Sequence, residues 1–513
     1  MGKIDEYLPD DLLSADPVSM DKNIIYPDKN CVKYIFYDNY EKIVEIYNTK
    51  MKNGEHKIRP YCFDQIQKCI LCGSMDLGYT VYECQKCGRY TIIPNRCHSR
   101  FCSSCAVKKA KETAIEISNI ALDCKHRHVV LTIPMQLRNY FLKNRELLNI
   151  LFIAARNTIY DVANNRKYRK AKRKKAKSKN PYKARKKKNK KCRYDYKDAE
   201  DIIMPGFIAT LHTFGRSLQW NPHMHLLVCE KVYDKKTDKM KTLSFPYEKI
   251  RKTWMFQVLD LLSRSEVLKN DREFKQLKNY LYNTYTDGFY IYCPDKNKNV
   301  KDDEYMDDED FKKISDNIKG VVGYITRYTS RPVIADSRID CYDESTHEVT
   351  WHYTAHEDDK LHVVKQPAME FILNVIRHCP DKNFKMTRRY GFYSNASSKY
   401  IDRIYEVFGK QIRRHLKSKK QRMKSIERSK RRTKFRPAMI SSFNRDPIKC
   451  KCGNIMVATC DYNPYVKGAN NELPNRNQRN KAIFRNISLR LETERRHRES
   501  IRSMGRRLDR RVL

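Results

Sequence analysis

Two histidines two residues apart, His223 and His225, and two tyrosines four apart, Tyr324 and Tyr328, are the side chains best spaced for chemistry. The run His223-Met224-His225-Leu226-Leu227 reads as a strand, on which alternate side chains share a face, so both imidazoles point the same way. Imidazoles placed like this can chelate one divalent ion. The preceding strand-like segment, 207–214, would pair back across the Gly215–Pro222 connection and bring His212 to the same face as a third ligand. On a helix, Tyr324 and Tyr328 project their hydroxyls from one side. Arg327 and Arg331 beside them are guanidinium forks suited to phosphate. Together these parts describe phosphodiester chemistry. The ion acts as a Lewis acid on the phosphate, and a tyrosine attacks phosphorus to form a covalent intermediate.

A second group of residues is built for structure. Cys69-x-x-Cys72, Cys84-x-x-Cys87, Cys97 and Cys102-x-x-Cys105 follow one another closely. A Cys-x-x-Cys turn offers two thiolates to one tetrahedral ion, and two such turns complete a structural zinc site. Gly73 and Gly88 directly follow two of the pairs, where the turn needs a permissive backbone. The preferred closed set is Cys84, Cys87, Cys102 and Cys105. Cys69, Cys72 and Cys97 would share a second ion, with His98 available as an eighth ligand. One or two zinc ions are expected, folding the module without an open position for chemistry. Arg96, Arg100, Lys108, Lys109 and Lys111 around it suggest contact with DNA. Cys450, Cys452 and Cys460, with irregular spacing, make a weaker case for metal, and the acidic stretch Asp302–Asp310 reads as a solvated loop.

The elements that must position these groups follow from patterning. His126–Pro134 is rich in β-branched residues and ends on proline, as a strand does. Helical stretches are expected near residues 40–50, 136–163, 247–282, 311–327 and 369–378. Strands are expected over 202–230 and around 333–349 and 361–364. A very basic helix is expected over 410–436. Residues 166–197, nearly all Lys and Arg, read as a flexible basic insertion because like charges repel and nothing apolar is buried. This pattern divides the chain into an N-terminal segment (1–55), a zinc-binding, DNA-binding module (56–125), a catalytic domain (126–440) and a basic C-terminal region (441–513).

Bulk composition narrows the partners. Lys and Arg number 105 against 61 Asp and Glu, a net charge of +44 that favours a polyanion, nucleic acid first. No run of about 20 apolar residues is present to span a membrane. The N-terminus lacks the basic and apolar regions of a signal peptide, so the 18 cysteines read as reduced thiols of a cytoplasmic protein.

Five stretches then make the chain recognisable: ECQKCG…NRCHSRFCSSC, HVVLTIPMQLR, LHTFGRSLQWNPHMHLLV, GYITRYTSRPVIADSRI and RRYGFYS. Over roughly Cys69 to Cys460 the chain resembles the rolling-circle HUH transposases of the insertion sequence 91 family. The resemblance implies an α+β fold: a central antiparallel HUH-endonuclease sheet flanked by helices, an N-terminal zinc-binding module and basic C-terminal helices. It implies that His223 and His225 bind Mg²⁺ or Mn²⁺, with His212 as a third ligand by analogy to relaxases. It further implies that Tyr324 and Tyr328 are paired nucleophiles, forming a 5′-phosphotyrosine and a free 3′-OH on single-stranded DNA. The expected location is the bacterial nucleoid. Two positions depart from the family pattern: Asn221 precedes Pro222 where histidine is usual, and Phe101 precedes Cys102 where histidine is usual. A plasmid replication initiator or relaxase of the same chemistry, and a non-catalytic zinc-containing nucleic-acid binder, are the competing readings.

Overall fold

The computed structural model describes residues 29–49, 57–74, 77–118, 120–177, 202–293, 332–354, 360–411 and 446–462, with isolated positions at 424, 427, 436 and 440. The described residues open with three helices, α1 (Val32–Asp38), α2 (Tyr40–Asn48) and α3 (Pro60–Ile70). Pro60 sits in the first turn of α3, where its missing N–H costs nothing. A hairpin, β1 (Tyr79–Glu83) and β2 (Tyr90–Pro94), leads to α4 (Ser103–Ser118). Then follow β3 (His126–Leu131), α5 (Met135–Lys143), α6 (Leu148–Lys177), β4 (Ile203–Met204), β5 (Gly206–Phe214), β6 (Trp220–Cys229), β7 (Lys231–Asp234) and β8 (Lys239–Thr242). The chain continues with α7 (Tyr247–Ser263), α8 (Arg272–Thr284), β9 (Ile291–Tyr292), β10 (Ile339–Asp343), β11 (Glu348–Thr354) and β12 (Leu361–Pro367). The last described elements are α9 (Ala368–Arg377), β13 (Thr387–Gly391), α10 (Ser398–Gln411) and β14 (Val457–Tyr462).

The architecture is α+β around a five-stranded sheet of order β13-β5-β6-β3-β9, antiparallel at every pairing. Alternation along the strands gives its two faces different jobs. One face carries Val129, Leu131, Phe207, Ala209, Leu211, Met224, Leu226 and Val228, all buried in the largest apolar cluster with residues of α5, α6 and α7. Phe152 of α6 and Trp254 of α7 are fully buried there. Truncating a core aromatic of this kind typically costs about 3–5 kcal/mol. The opposite face carries Ile208, Leu227 and Cys229 at one end, covered by Ala114 and Ile117 of α4 and by Ile404 and Phe408 of α10. The other end of that face holds the histidines.

The N-terminal helices share a third apolar cluster with β10, β11, α9 and the cysteines at the ends of α3 and α4. Phe101, which departs from the family pattern, belongs to this cluster and meets Phe36 edge-on at 5.3 Å. Its substitution for histidine therefore supplies core packing.

The expected strands at 126–134 and 202–230 and the helix at 369–378 correspond to β3, to β4 through β6, and to α9. The basic run differs from expectation at its start. Helix α6 continues past Arg166 to Lys177, because Lys and Arg are good helix formers when the helix is already nucleated by a buried first half. The rest of that run, the acidic stretch, the 311–327 helix and most of 410–436 lie outside the described residues. Strand β14, from the region expected to stand apart at the C-terminus, pairs with β1. No helix among the described residues is long and apolar enough to cross a membrane.

Candidate active site and cysteine clusters

The β5–β6 hairpin assembles the histidines as the alternation requires. His212 lies directly opposite His223, and Thr210 opposite His225. Cross-strand partners share a face, as do residues two apart, so His212, His223 and His225 converge. One ring nitrogen from each lies within 4.8 Å of the others. A buried histidine locks the connecting turn: His378 donates from Nε2 to the Leu218 carbonyl (2.9 Å), and its Nδ1 accepts from the Thr213 hydroxyl (3.2 Å). Trp220 stacks on His378, and the Arg145 guanidinium lies 4.8 Å from the indole centroid.

Hydrogen bonding sets the His223 tautomer. The His223 Nδ1–H donates to the Asn221 carbonyl (2.7 Å), which leaves a lone pair on Nε2. That Nε2 faces His225 Nε2 at 3.0 Å. The other nitrogen of His225, Nδ1, contacts His128 Nε2 at 3.0 Å. The His223 Nε2 lone pair therefore faces His225 Nε2, at a separation that two ligands of one cation adopt. Ligands at right angles, each about 2.1 Å from an octahedral ion, sit about 3.0 Å apart, so the pair fits such an ion. Burial holds the rings neutral: His223 is pushed down to about 4, chiefly by desolvation, with Arg138 adding repulsion. His128 is pushed down to about 3 by desolvation and by His212 and His223.

His128 was not singled out from the sequence. It lies on β3 opposite Leu227, two residues from Val130, which is opposite His225, so it falls on the histidine face. The legible signal was the strand run His126-Arg127-His128-Val129-Val130 read in register with β6. A ligating histidine almost always passes its other N–H to a partner that fixes ring orientation. His128 stands in that position relative to His225, with its Nε2 3.0 Å from Nδ1.

A cleft of about 650 Å³ opens beside His212, between the cysteine-rich module and the sheet. Lys68, Arg100, Lys109 and Lys382 line it with Tyr61 and His378, and Glu112 is its carboxylate. His98 also lines this cleft, with an exposed side chain and a positive φ of 50°, and joins neither sulfur group. Tyr324, Tyr328, Arg327 and Arg331 lie outside the described residues. Described residues on either side of the stretch 294–331 border the site: the Tyr292 ring meets His128 at 6.1 Å, and Val333 lines the cleft.

Among the described residues, eight cysteines gather into two groups of four, divided differently from the expected sets. Cys72, Cys97, Cys102 and Cys105 form one, all buried. Its Sγ separations are 3.8 Å (Cys72–Cys105), 3.7 Å (Cys97–Cys105) and 3.5 Å (Cys72–Cys102). Thiolates about 2.3 Å from a tetrahedral zinc ion stand about 3.8 Å apart, so this group fits structural zinc. Cys69, at the end of α3, is fully buried against Cys102 but stays outside the four. Cys84 and Cys87 do not join Cys102 and Cys105. Their hairpin pairs with β14, and they meet Cys450 and Cys452 instead. The structural reason is α4: its first turn presents Cys105 beside Cys102 and toward the end of α3, while Ala114 and Ile117 further along pack on the sheet.

The RRYGFYS stretch is also structural. Gly391 has φ +61°, and a Cβ there would lie 1.6 Å from the Pro205 carbonyl oxygen. Tyr390 stacks on Phe207 at 4.9 Å, docking β13 onto β5.

Comparison with known proteins agrees with this layout. Residues 41–133 match the family model described as "Transposase zinc-binding domain", and residues 206–400 match that described as "Putative transposase". The chain is 27% identical to the "Transposase for insertion sequence element IS801" of Pseudomonas savastanoi pv. phaseolicola, over 79% of this chain and 85% of that protein. It is 21% identical to the "Putative transposase y4qJ" of Sinorhizobium fredii, over 63% of this chain and 72% of that protein. No solved structure matches the chain. With both matched regions present in this order, and with similarity to a transposase along most of its length, the chain belongs to the insertion sequence 91 family of transposases and carries an N-terminal zinc-binding domain.

Proposed function

We propose that this transposase nicks and rejoins single-stranded DNA at the ends of its element through a phosphotyrosine intermediate. His212, His223 and His225 would hold Mg²⁺ or Mn²⁺. The carrying observation is the convergence of three histidine nitrogens within 4.8 Å beside a cleft lined by Lys68, Arg100, Lys109 and Lys382. When bound, the ion supplies Lewis acidity to the scissile phosphate. The chain's own residues do the rest. Lysine and arginine side chains in the cleft hold the strand's phosphates. The hydroxyl of Tyr324 or Tyr328 loses its proton as its oxygen bonds to phosphorus. The bond from phosphorus to the 3′ oxygen breaks, and that oxygen takes up a proton. One DNA end stays on the tyrosine as a 5′-phosphate ester while the other leaves as a free 3′-OH. Arg327 and Arg331 would stabilise the charge on the transferring phosphoryl group. A second tyrosine lets a second strand be held while the first is resolved, with no external energy source. Support for the tyrosines comes from reach: Tyr328 is five residues from Val333, and five residues extend at most about 18 Å.

The test is cleavage of single-stranded oligonucleotides carrying the element's own ends by the full-length protein. Cutting should need Mg²⁺ or Mn²⁺, stop with EDTA, and fall at least about a hundredfold in His223→Ala and His225→Ala. Undiminished cutting by either variant contradicts the assignment.

A further inference from the structure

The second group of sulfurs draws its members from opposite ends of the chain. Cys84 and Cys87 sit on the turn between β1 and β2, and Cys450 and Cys452 on the turn before β14. Their Sγ atoms stand 3.5 Å (Cys84–Cys452), 3.4 Å (Cys87–Cys450) and 3.6 Å (Cys87–Cys452) apart. These spacings approach the edge of about 3.8 Å of a four-thiolate zinc tetrahedron.

The two turns share a backbone shape. Gly88 (φ +69°) donates its N–H to the Cys84 carbonyl at 2.9 Å, and Gly453 (φ +90°) donates to the Cys450 carbonyl at 2.9 Å. Each turn is closed at its base, Cys84 N–H to the Arg89 carbonyl and Cys450 N–H to the Asn454 carbonyl, both at 2.8 Å. The amides of Lys86 and Cys87 point at the Cys84 sulfur. Turns of this kind stabilise thiolate ligands with N–H donors.

Among the described residues, full apolar burial in the sheet around them is confined to Tyr79 and Val81 of its central strand β1. Strands β14, β1 and β2 make a three-stranded sheet, joined by the bridge between Lys449 and Ile455. Every residue of β2 is only half-buried, while Ile455 and Val457 are 50% and 52% exposed. Small sheets need a hydrophobic face or a cross-link, and metal binding supplies folding free energy where a core cannot.

We propose that Cys84, Cys87, Cys450 and Cys452 bind a second zinc ion, completing a ribbon whose halves lie more than 360 residues apart. Four thiolates at tetrahedral spacing select zinc over magnesium or manganese. The matched zinc-binding region ends at residue 133 and the second matched region at residue 400, so two of the four ligands fall outside both. The ion staples residues 446–462 to the N-terminal module. It is also the accessible one of the two: Cys87 and Cys452 are exposed, whereas Cys72, Cys97, Cys102 and Cys105 are all buried. Chelators reach it first.

Metal content of the purified full-length protein tests this without reference to DNA cleavage. Elemental analysis should find two zinc ions per chain, released by chelator in a fast and a slow phase. The Cys450→Ser/Cys452→Ser double variant should keep one ion and lose the fast phase. Cys452→His keeps a ligand in place; it should retain two ions and, loaded with Co²⁺, move the visible d–d bands to shorter wavelength. One zinc per wild-type chain, two in the double variant, or an unchanged cobalt spectrum in Cys452→His would overturn the proposal.

Discussion

At the scale of single residues, the site depends on neutral imidazoles whose orientation is set from behind. We propose His128 as a positioning residue: its Nε2 lies 3.0 Å from Nδ1 of His225, holding that ring with its Nε2 toward His223. Removing such a partner usually costs ten- to a hundredfold in metal affinity. His128→Ala should therefore raise the Mn²⁺ concentration needed for half-maximal cleavage by about 10–100-fold, with Gln restoring part of it. An unchanged metal requirement would deny His128 that role. His378 makes a prediction about stability. It is 2% exposed, and desolvation, the Leu218 contact notwithstanding, with repulsion from Arg377 and Arg145, lowers it to about 4. The unfolded chain takes up that proton near pH 6.5 and the folded chain only near 4, so stability is full above 6.5 and declines as pH falls through this window. The decline attributable to His378 amounts to a few kcal/mol. Thermal unfolding followed from pH 7 to pH 4.5 should show a shallower acid loss in His378→Gln than in the native protein.

At the scale of elements, hairpin β5–β6 shows what the sequence made legible. His223-Met224-His225 and the β-branched, aromatic run before it state a strand pair with one histidine face, and the register places His212 opposite His223 as that pattern requires. The partition of the cysteines was not legible. Cys-x-x-Cys spacing says that two thiolates meet, but only tertiary packing decides which pairs share an ion. The hairpin that carries Cys84 and Cys87 finds its partner in β14, hundreds of residues away. The shared turn glycine in Cys84-x-x-Cys87-Gly88 and Cys450-x-Cys452-Gly453 was the available clue. His128 was hidden for a related reason, since its role appears only once β3 is placed next to β6. The RRYGFYS stretch, conspicuous as a motif, proves to be a packing device. Gly391→Ala should force apart the Pro205 carbonyl and β13, costing about 2 kcal/mol or more. Denaturant unfolding would measure it, and a neutral outcome would mean that β13 is not docked as described.

At the scale of the whole molecule, helix α4 runs from the buried cysteine group to the sheet, so the zinc-binding region and the strand end that carries His212 form adjoining walls of one basic cleft. A net charge of +44 makes nucleic-acid binding strongly salt-dependent. Each phosphate contact on a single strand contributes about 0.7 to the slope of log affinity against log salt. Changing Lys109 and Lys382 together to Gln should thus lower the slope by about 1.4 in fluorescence anisotropy titrations. An unchanged slope would place the strand elsewhere. The central claim, that a tyrosine of this chain takes the DNA covalently, is tested most directly by mass spectrometry of the protein after reaction with an end-bearing single strand. The expected result is a nucleotide attached through a 5′-phosphate to Tyr324 or Tyr328, absent when both are phenylalanine. Strand cleavage that persists in that double variant, with no DNA on the protein, would contradict it.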